Sequence, residues 1–82
     1  MHSHDFELLS EESGPAGTRV FEVRISAAGL VRRYEYDPVG DNIQLAGDKE
    51  PLLVGGHDMT SIIGKRVREW LRTEVLDSGR QQ

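Results

Sequence analysis

Between residues 19 and 25 the chain changes character at every position. Phe21, Val23 and Ile25 are apolar, and the intervening Glu22 and Arg24 are charged. A period of two fits an extended strand with one buried and one wet face, and the buried face needs an apolar cover. The same chain offers one. Met59, Ile62, Ile63, Val67, Trp70, Leu71 and Val75 recur at spacings of three and four, which predicts an amphipathic helix of about five turns. Asp58 is its expected N-cap, and Ser78-Gly79 its stop. Trp70 lies at the centre of the stripe, so burial against Phe21, Val23 and Ile25 is expected; truncating it to Ala would then cost about 3–5 kcal/mol.

Other segments complete a sheet. Phe6 and Leu8 alternate weakly, consistent with a short strand, before a turn at Ser13-Gly14-Pro15-Ala16-Gly17. Ser26-Ala27-Ala28-Gly29 makes a tight connection in which Gly29 suits a positive φ. In the next run Tyr34 and Tyr36 share a face with Leu30 and Arg32, opposite Val31, Arg33 and Glu35. Glu22 and Arg24 are placed to lie across from Arg33 and Glu35. Ile43-Gln44-Leu45 is a further short strand. Gly55-Gly56 breaks the chain ahead of the helix, as a turn between strand and helix. The fold class is therefore α+β: a three- or four-stranded antiparallel meander with one C-terminal amphipathic helix packed on one face. Residues 1–82 form one small domain, with disordered tails expected at 1–4 and 78–82.

The stretch Gly29-Leu30-Val31-Arg32-Arg33-Tyr34-Glu35-Tyr36-Asp37-Pro38-Val39-Gly40-Asp41 resembles one unit of the YD repeats of large bacterial shell proteins. Those repeats alternate Gly, Tyr and Asp along stacked hairpins, in proteins that often enclose toxins or bind carbohydrate. The resemblance covers about one-sixth of the chain and is not repeated. Asp41 stands where Asn commonly follows the Gly. What the resemblance implies is a twisted strand and turn; it carries no function.

Charge narrows the classes of partner. The net charge is −4. Residues 1–17 contain Asp5, Glu7, Glu11 and Glu12 and no Lys or Arg, while ten acids balance ten bases over residues 18–82. Coating a nucleic acid or a membrane through bulk positive charge is excluded. The acidic segment is instead a candidate tether for a basic partner. There is no cysteine, which removes disulfides and thiolate chemistry and fits a reducing, cytoplasmic location. No apolar run reaches membrane-spanning length. A domain of this size without disulfides often gains stability by self-association, so a homodimer is expected.

Five residues are candidate binding positions. Lys65, Arg68 and Arg72 fall within about 60° of one another on the helix, opposite the apolar stripe. They could meet phosphates or an acidic partner, or form a solvated face with Glu69 and Glu74 nearby. Tyr34 and Tyr36 either pack beneath the helix or centre a recognition face. Arg66 borders the stripe and is expected to reach water along the helix edge or meet a carboxylate. Gly55-Gly56-His57 before a helix could present N–H groups to an anion, but Asp58 would compete for them. His2 and His4 could chelate a metal only weakly, and His57 has no nucleophile in a recognisable motif. No metal, cofactor or catalytic site is assigned. The expected function is a protein-interaction module, self-associating and non-catalytic, that uses a sheet edge or the tyrosine face. The alternative is nucleic-acid or anion binding through Lys65, Arg68 and Arg72.

Overall fold

The computed structural model describes residues 5–76. The tails expected at 1–4 and 78–82, with His2 and His4, lie outside the described residues. Four antiparallel strands form a meander: β1 (Phe6–Ser13), β2 (Arg19–Ile25), β3 (Leu30–Asp37) and β4 (Asn42–Ala46), in the spatial order β1-β2-β3-β4. Two further strands, β5 (Leu53–Val54) and β6 (His57–Asp58), make a separate hairpin. It leads into helix α1 (Thr60–Trp70), which continues as a wider π-helical turn over Leu71–Leu76. The expected α+β architecture is the one observed, in its four-stranded form.

Register explains the core. Phe21 pairs with Tyr34, Val23 with Arg32 and Ile25 with Leu30 across β2 and β3, so residues of like parity share the helix-facing side. Phe21, Val23, Ile25, Tyr34, Tyr36, Leu52, Ile63, Val67 and Leu71 form the buried cluster. The helix contributes its i, i+4, i+8 row, Ile63, Val67 and Leu71, to the deepest layer. Trp70 is only partly buried, and its ring meets Phe6 at 5.5 Å between centroids, tilted by 45°. The tryptophan thus closes the margin of the core over β1. Trp70→Ala should accordingly cost about 1.5–2.5 kcal/mol, roughly half the value for a fully buried ring; urea denaturation of the two proteins measures it. Ile62, counted in the stripe by spacing, is 48% exposed, because it lies on the flank of the row that the sheet covers.

On the outer face Glu22 lies opposite Arg33 as expected, but Arg24 lies opposite Val31 and not Glu35. There Arg24 pairs with Glu7 at 3.2 Å and Arg33 with Glu12, while Arg19 pairs with Glu11 on the other face, where Glu11 is in register with Phe21. β1 is an edge strand whose carboxylates are matched by cations of β2 and β3. A bulge at Leu9, where the register shifts between Leu8 and Ser10, lets the strand follow the sheet twist.

The turns follow local chemistry. Gly29 has φ +68° in the connection between β2 and β3, as its position required. Gly55 and Gly56, at φ +59° and +83°, are the two central residues of the β5–β6 hairpin. Two successive positive φ values define the hairpin turn whose twist matches that of its strands. The glycines thus close a hairpin and do not form an anion nest or a simple turn into the helix. Two hydrogen bonds fasten this hairpin to the helix start: Met59 N–H donates to Leu52 O at 2.8 Å, and Leu52 N–H donates to Thr60 Oγ1 at 2.9 Å. The expected N-cap, Asp58, lies one residue earlier, at the end of β6, and Met59 holds the N-cap position without a side-chain bond; Asp58 Oδ1 instead accepts from both the N–H and the hydroxyl of Thr60, the first helical residue. These bonds hold its carboxyl below the usual carboxylate range. Their stabilisation is complete above the ordinary Asp pKa and is lost as pH falls through the depressed one. Asp58→Ala should lower Tm at pH 7 and converge on the wild type in strong acid.

Candidate functional site

Helix α1 packs most closely along β4, the second edge of the sheet. Between them runs a groove of about 420 Å³. Its strand side is β4 itself, with Tyr34 of β3 behind, and its helix side is Thr60, Ser61, Gly64, Lys65 and Arg68. Gly64 faces open space: a Cβ built there would meet nothing within 4 Å. Lys49, just beyond β4, completes the lining. Three cations and no carboxylate line this groove, in a chain that is net negative. Beside β4 a second hollow of about 260 Å³ is lined by Thr18, Glu35 and Asp37, so the two flanks of this edge differ in sign.

The five candidate binding residues separate in space. Lys65, Arg68 and Tyr34 all line the groove. Arg72 does not; its Nη1 lies 3.6 Å from Asp41 Oδ2 in the β3–β4 turn. Arg68 reaches the same turn, donating from Nη1 to Asp41 O at 3.4 Å. Tyr36 is buried, and its hydroxyl donates to Asp41 Oδ1 at 2.7 Å. Asp41 is thus a hub that takes up Tyr36 and Arg72 and part of Arg68. The uniform cationic face expected on the helix is broken, because the β3–β4 turn supplies an anion that helical spacing cannot reveal. Asp41 itself has φ +56°, a conformation that Asp and Asn tolerate. Arg66 is exposed and takes no part in the groove.

Two residues of the groove lining, Tyr34 and Arg68, each carry a buried polar atom without a partner among the described residues, as does Arg32 at Nε outside it. Tyr34 is 1% exposed and its Oη has no hydrogen-bond partner among the described residues; the same holds for Arg68 Nε. Burial pushes the Tyr34 hydroxyl up to about 12, against the smaller opposing pull of Arg32. It is therefore a protonated donor throughout the neutral range. Tyr36 is also raised, first by burial and then by its bond to Asp41. Both shifts have one sign in stability. Their contribution is complete below the unfolded value of 10 and is lost as pH rises from 10 toward 12 at Tyr34. The urea midpoint should fall between pH 9.5 and 11.5, and Tyr34→Phe should flatten that fall in part.

His57 is exposed on the β5–β6 hairpin, and no group of three or more His, Asp or Glu among the described residues could hold a metal ion. No helix among them is long and apolar enough to cross a membrane. Lys49 and the acid-free character of the groove were missed by sequence reasoning, since Lys49 sits in a polar turn with no periodicity to place it beside the helix. Compared with protein-family models, with curated proteins and with solved structures, the chain matches none.

Proposed function

We propose that this chain is a protein-interaction module that takes an extended acidic segment of a partner protein as an added strand on β4, in the groove against α1. The observation that carries the reading is the acid-free lining with Lys49, Lys65 and Arg68 beside a sheet edge. An edge strand offers unpaired N–H and C=O groups that set the direction of an incoming chain. Side chains of that chain then alternate, and those turned toward α1 meet the cations. The other edge, β1, carries Glu7, Glu11 and Glu12 and no cation of its own, so it is less suited to an acidic segment. On this reading the chain works by binding, without catalysis, alongside a cytoplasmic partner. The homodimer expected from its size is a competing occupant of the same edge.

The polynucleotide alternative on Lys65, Arg68 and Arg72 loses support, since Arg72 is paired with the Asp41 carboxylate and lies outside the groove. The test is an eight-residue peptide with Glu at alternate positions, titrated into isotope-labelled protein and followed by amide shifts. Saturable shifts should map to β4 and to the facing turns of α1. Lys49→Glu combined with Lys65→Glu should weaken binding by about tenfold or more. A Lys-containing peptide that binds as well, or shifts confined to β1, would remove the reading. Tight binding of a single-stranded oligonucleotide at low salt, falling steeply with added salt, would favour the alternative. A groove already filled at high protein concentration, with a doubled mass by light scattering, would give the edge to a second copy.

A further inference from the structure

The two edges of the sheet treat their charges differently. At β1 every carboxylate is matched within the chain: Glu7 by Arg24, Glu11 by Arg19 and Glu12 by Arg33. At β4 neither flank is matched. On the helix side Lys49 and Lys65 line the groove and form no salt bridge among the described residues. On the opposite side Glu35 and Asp37 line the hollow of about 260 Å³, and no cation pairs with either among the described residues. The bonds they do make come from neutral donors: Glu35 Oε2 accepts from the Thr18 hydroxyl at 2.9 Å, and Asp37 Oδ1 accepts from Val39 N–H at 3.0 Å.

Register places these acids. Glu35 lies opposite Gln44 and Asp37 opposite Asn42, on the face away from the buried Tyr34 and Tyr36. Gln44 and Asn42 are exposed and uncharged, so β4 itself brings no cation to them. The same face shows that such a charge is reached from two strands away: Arg33 on β3 pairs with Glu12 on β1, with β2 between them. A strand added outside β4 stands to β3 as β1 does, at twice the interstrand spacing.

Resting on the docking reading above, we infer that the partner segment carries arginine at the positions between its acids. Its acids, turned toward α1, meet Lys49, Lys65 and Arg68; its arginines, turned away, reach across Gln44 and Asn42 to Glu35 and Asp37. The acidic segment is thereby narrowed to one whose charges alternate in sign. Arginine suits the outward positions because its long stem spans a strand and its planar fork matches a carboxylate. An all-acidic strand would instead set like charges against Glu35 and Asp37.

The experiment titrates three eight-residue peptides into the full chain, by calorimetry and amide shifts. One alternates Glu with Arg, one alternates Glu with Gln, and one has the composition of the first with its Glu and Arg in separate blocks. The alternating Glu–Arg peptide should bind about three- to tenfold more tightly than either of the others, the scale of a few exposed ion pairs. The block peptide has the same net charge, so general attraction to a net-negative chain cannot produce that order. Glu35→Gln combined with Asp37→Asn keeps the acceptors used by Thr18 and Val39 and so retains the fold. It should bring the Glu–Arg peptide down to the Glu–Gln peptide without weakening the latter. Glu69→Gln, which removes an exposed carboxylate outside both hollows, should leave the preference in place. Lys65→Gln should weaken both alternating peptides and retain their ratio. A preference for arginine that survives Glu35→Gln with Asp37→Asn, or equal binding of the alternating and block peptides, overturns the inference and leaves the docking reading intact. Failure of every peptide to bind overturns both.

Discussion

Val67→Asp should abolish folding, whereas Ile62→Asp should leave stability within about 1 kcal/mol of the wild type. Both positions belong to the same helical stripe by spacing, and the contrast tests where the sheet actually covers it. Val67 is fully buried and Ile62 is 48% exposed. An unpaired carboxylate at Val67 would have to be desolvated or protonated, and a penalty of about 4 kcal/mol or more is expected. Ordinary domain stability for a chain of this length is about 4–12 kcal/mol, so the native state would be emptied or nearly so. At Ile62 the side chain reaches water and lies in the first turn of α1, where a negative charge interacts favourably with the helix dipole. Far-ultraviolet circular dichroism with thermal melts separates the two. A cooperative melt for Val67→Asp near the wild-type temperature would contradict the packing described above.

Phe21→Ala should be the most damaging truncation in the sheet, at about 3–5 kcal/mol. Phe21 is fully buried at the middle of β2, with Tyr34 beside it on β3 and Glu11 on β1. Its ring is covered from above by the helix layer of the core, so a shortened side chain leaves a hole that neighbours on two strands cannot close together. Leu9→Ala is the matched control: Leu9 sits at the bulge and is 38% exposed, and its truncation should cost well under 1 kcal/mol. Urea denaturation with unchanged slopes gives both values. Equal losses at the two positions would mean that the helix does not cap the centre of the sheet.

These outcomes bear on the groove as well. Tyr34 lines the groove and belongs to the core, and its hydroxyl is buried without a partner among the described residues. Removing the hydroxyl should leave the melting temperature unchanged or slightly higher, because an unmatched buried polar group is a cost to the free protein. A polar group retained at such a cost is the pattern expected of a binding site. The ring itself remains necessary, and Tyr34→Ala would report on packing instead.

The amino-acid sequence by itself pointed to the strands of the meander, to the helix and to most of their buried positions, though not to the β5–β6 hairpin or to the exposure of Ile62. Periods of two and of about 3.6 are fixed by backbone geometry, and an apolar face must be covered wherever it occurs. Phe21, Val23, Ile25, Tyr34, Ile63, Val67 and Leu71 were legible for that reason. Gly29 was too, since a positive φ is a local chemical demand. Only the tertiary structure decided which charges were left free. Arg72 and part of Arg68 are taken up by Asp41, a residue in a turn whose distance from the helix no helical period encodes. The acids of β1 are likewise matched by arginines two strands deep in sequence separation. Long side chains reach several ångströms across elements, and charge pairing depends on where those elements finally lie. The groove between β4 and α1, with Lys49, Lys65 and Arg68 in its lining, exists only once the helix has been laid along the sheet edge.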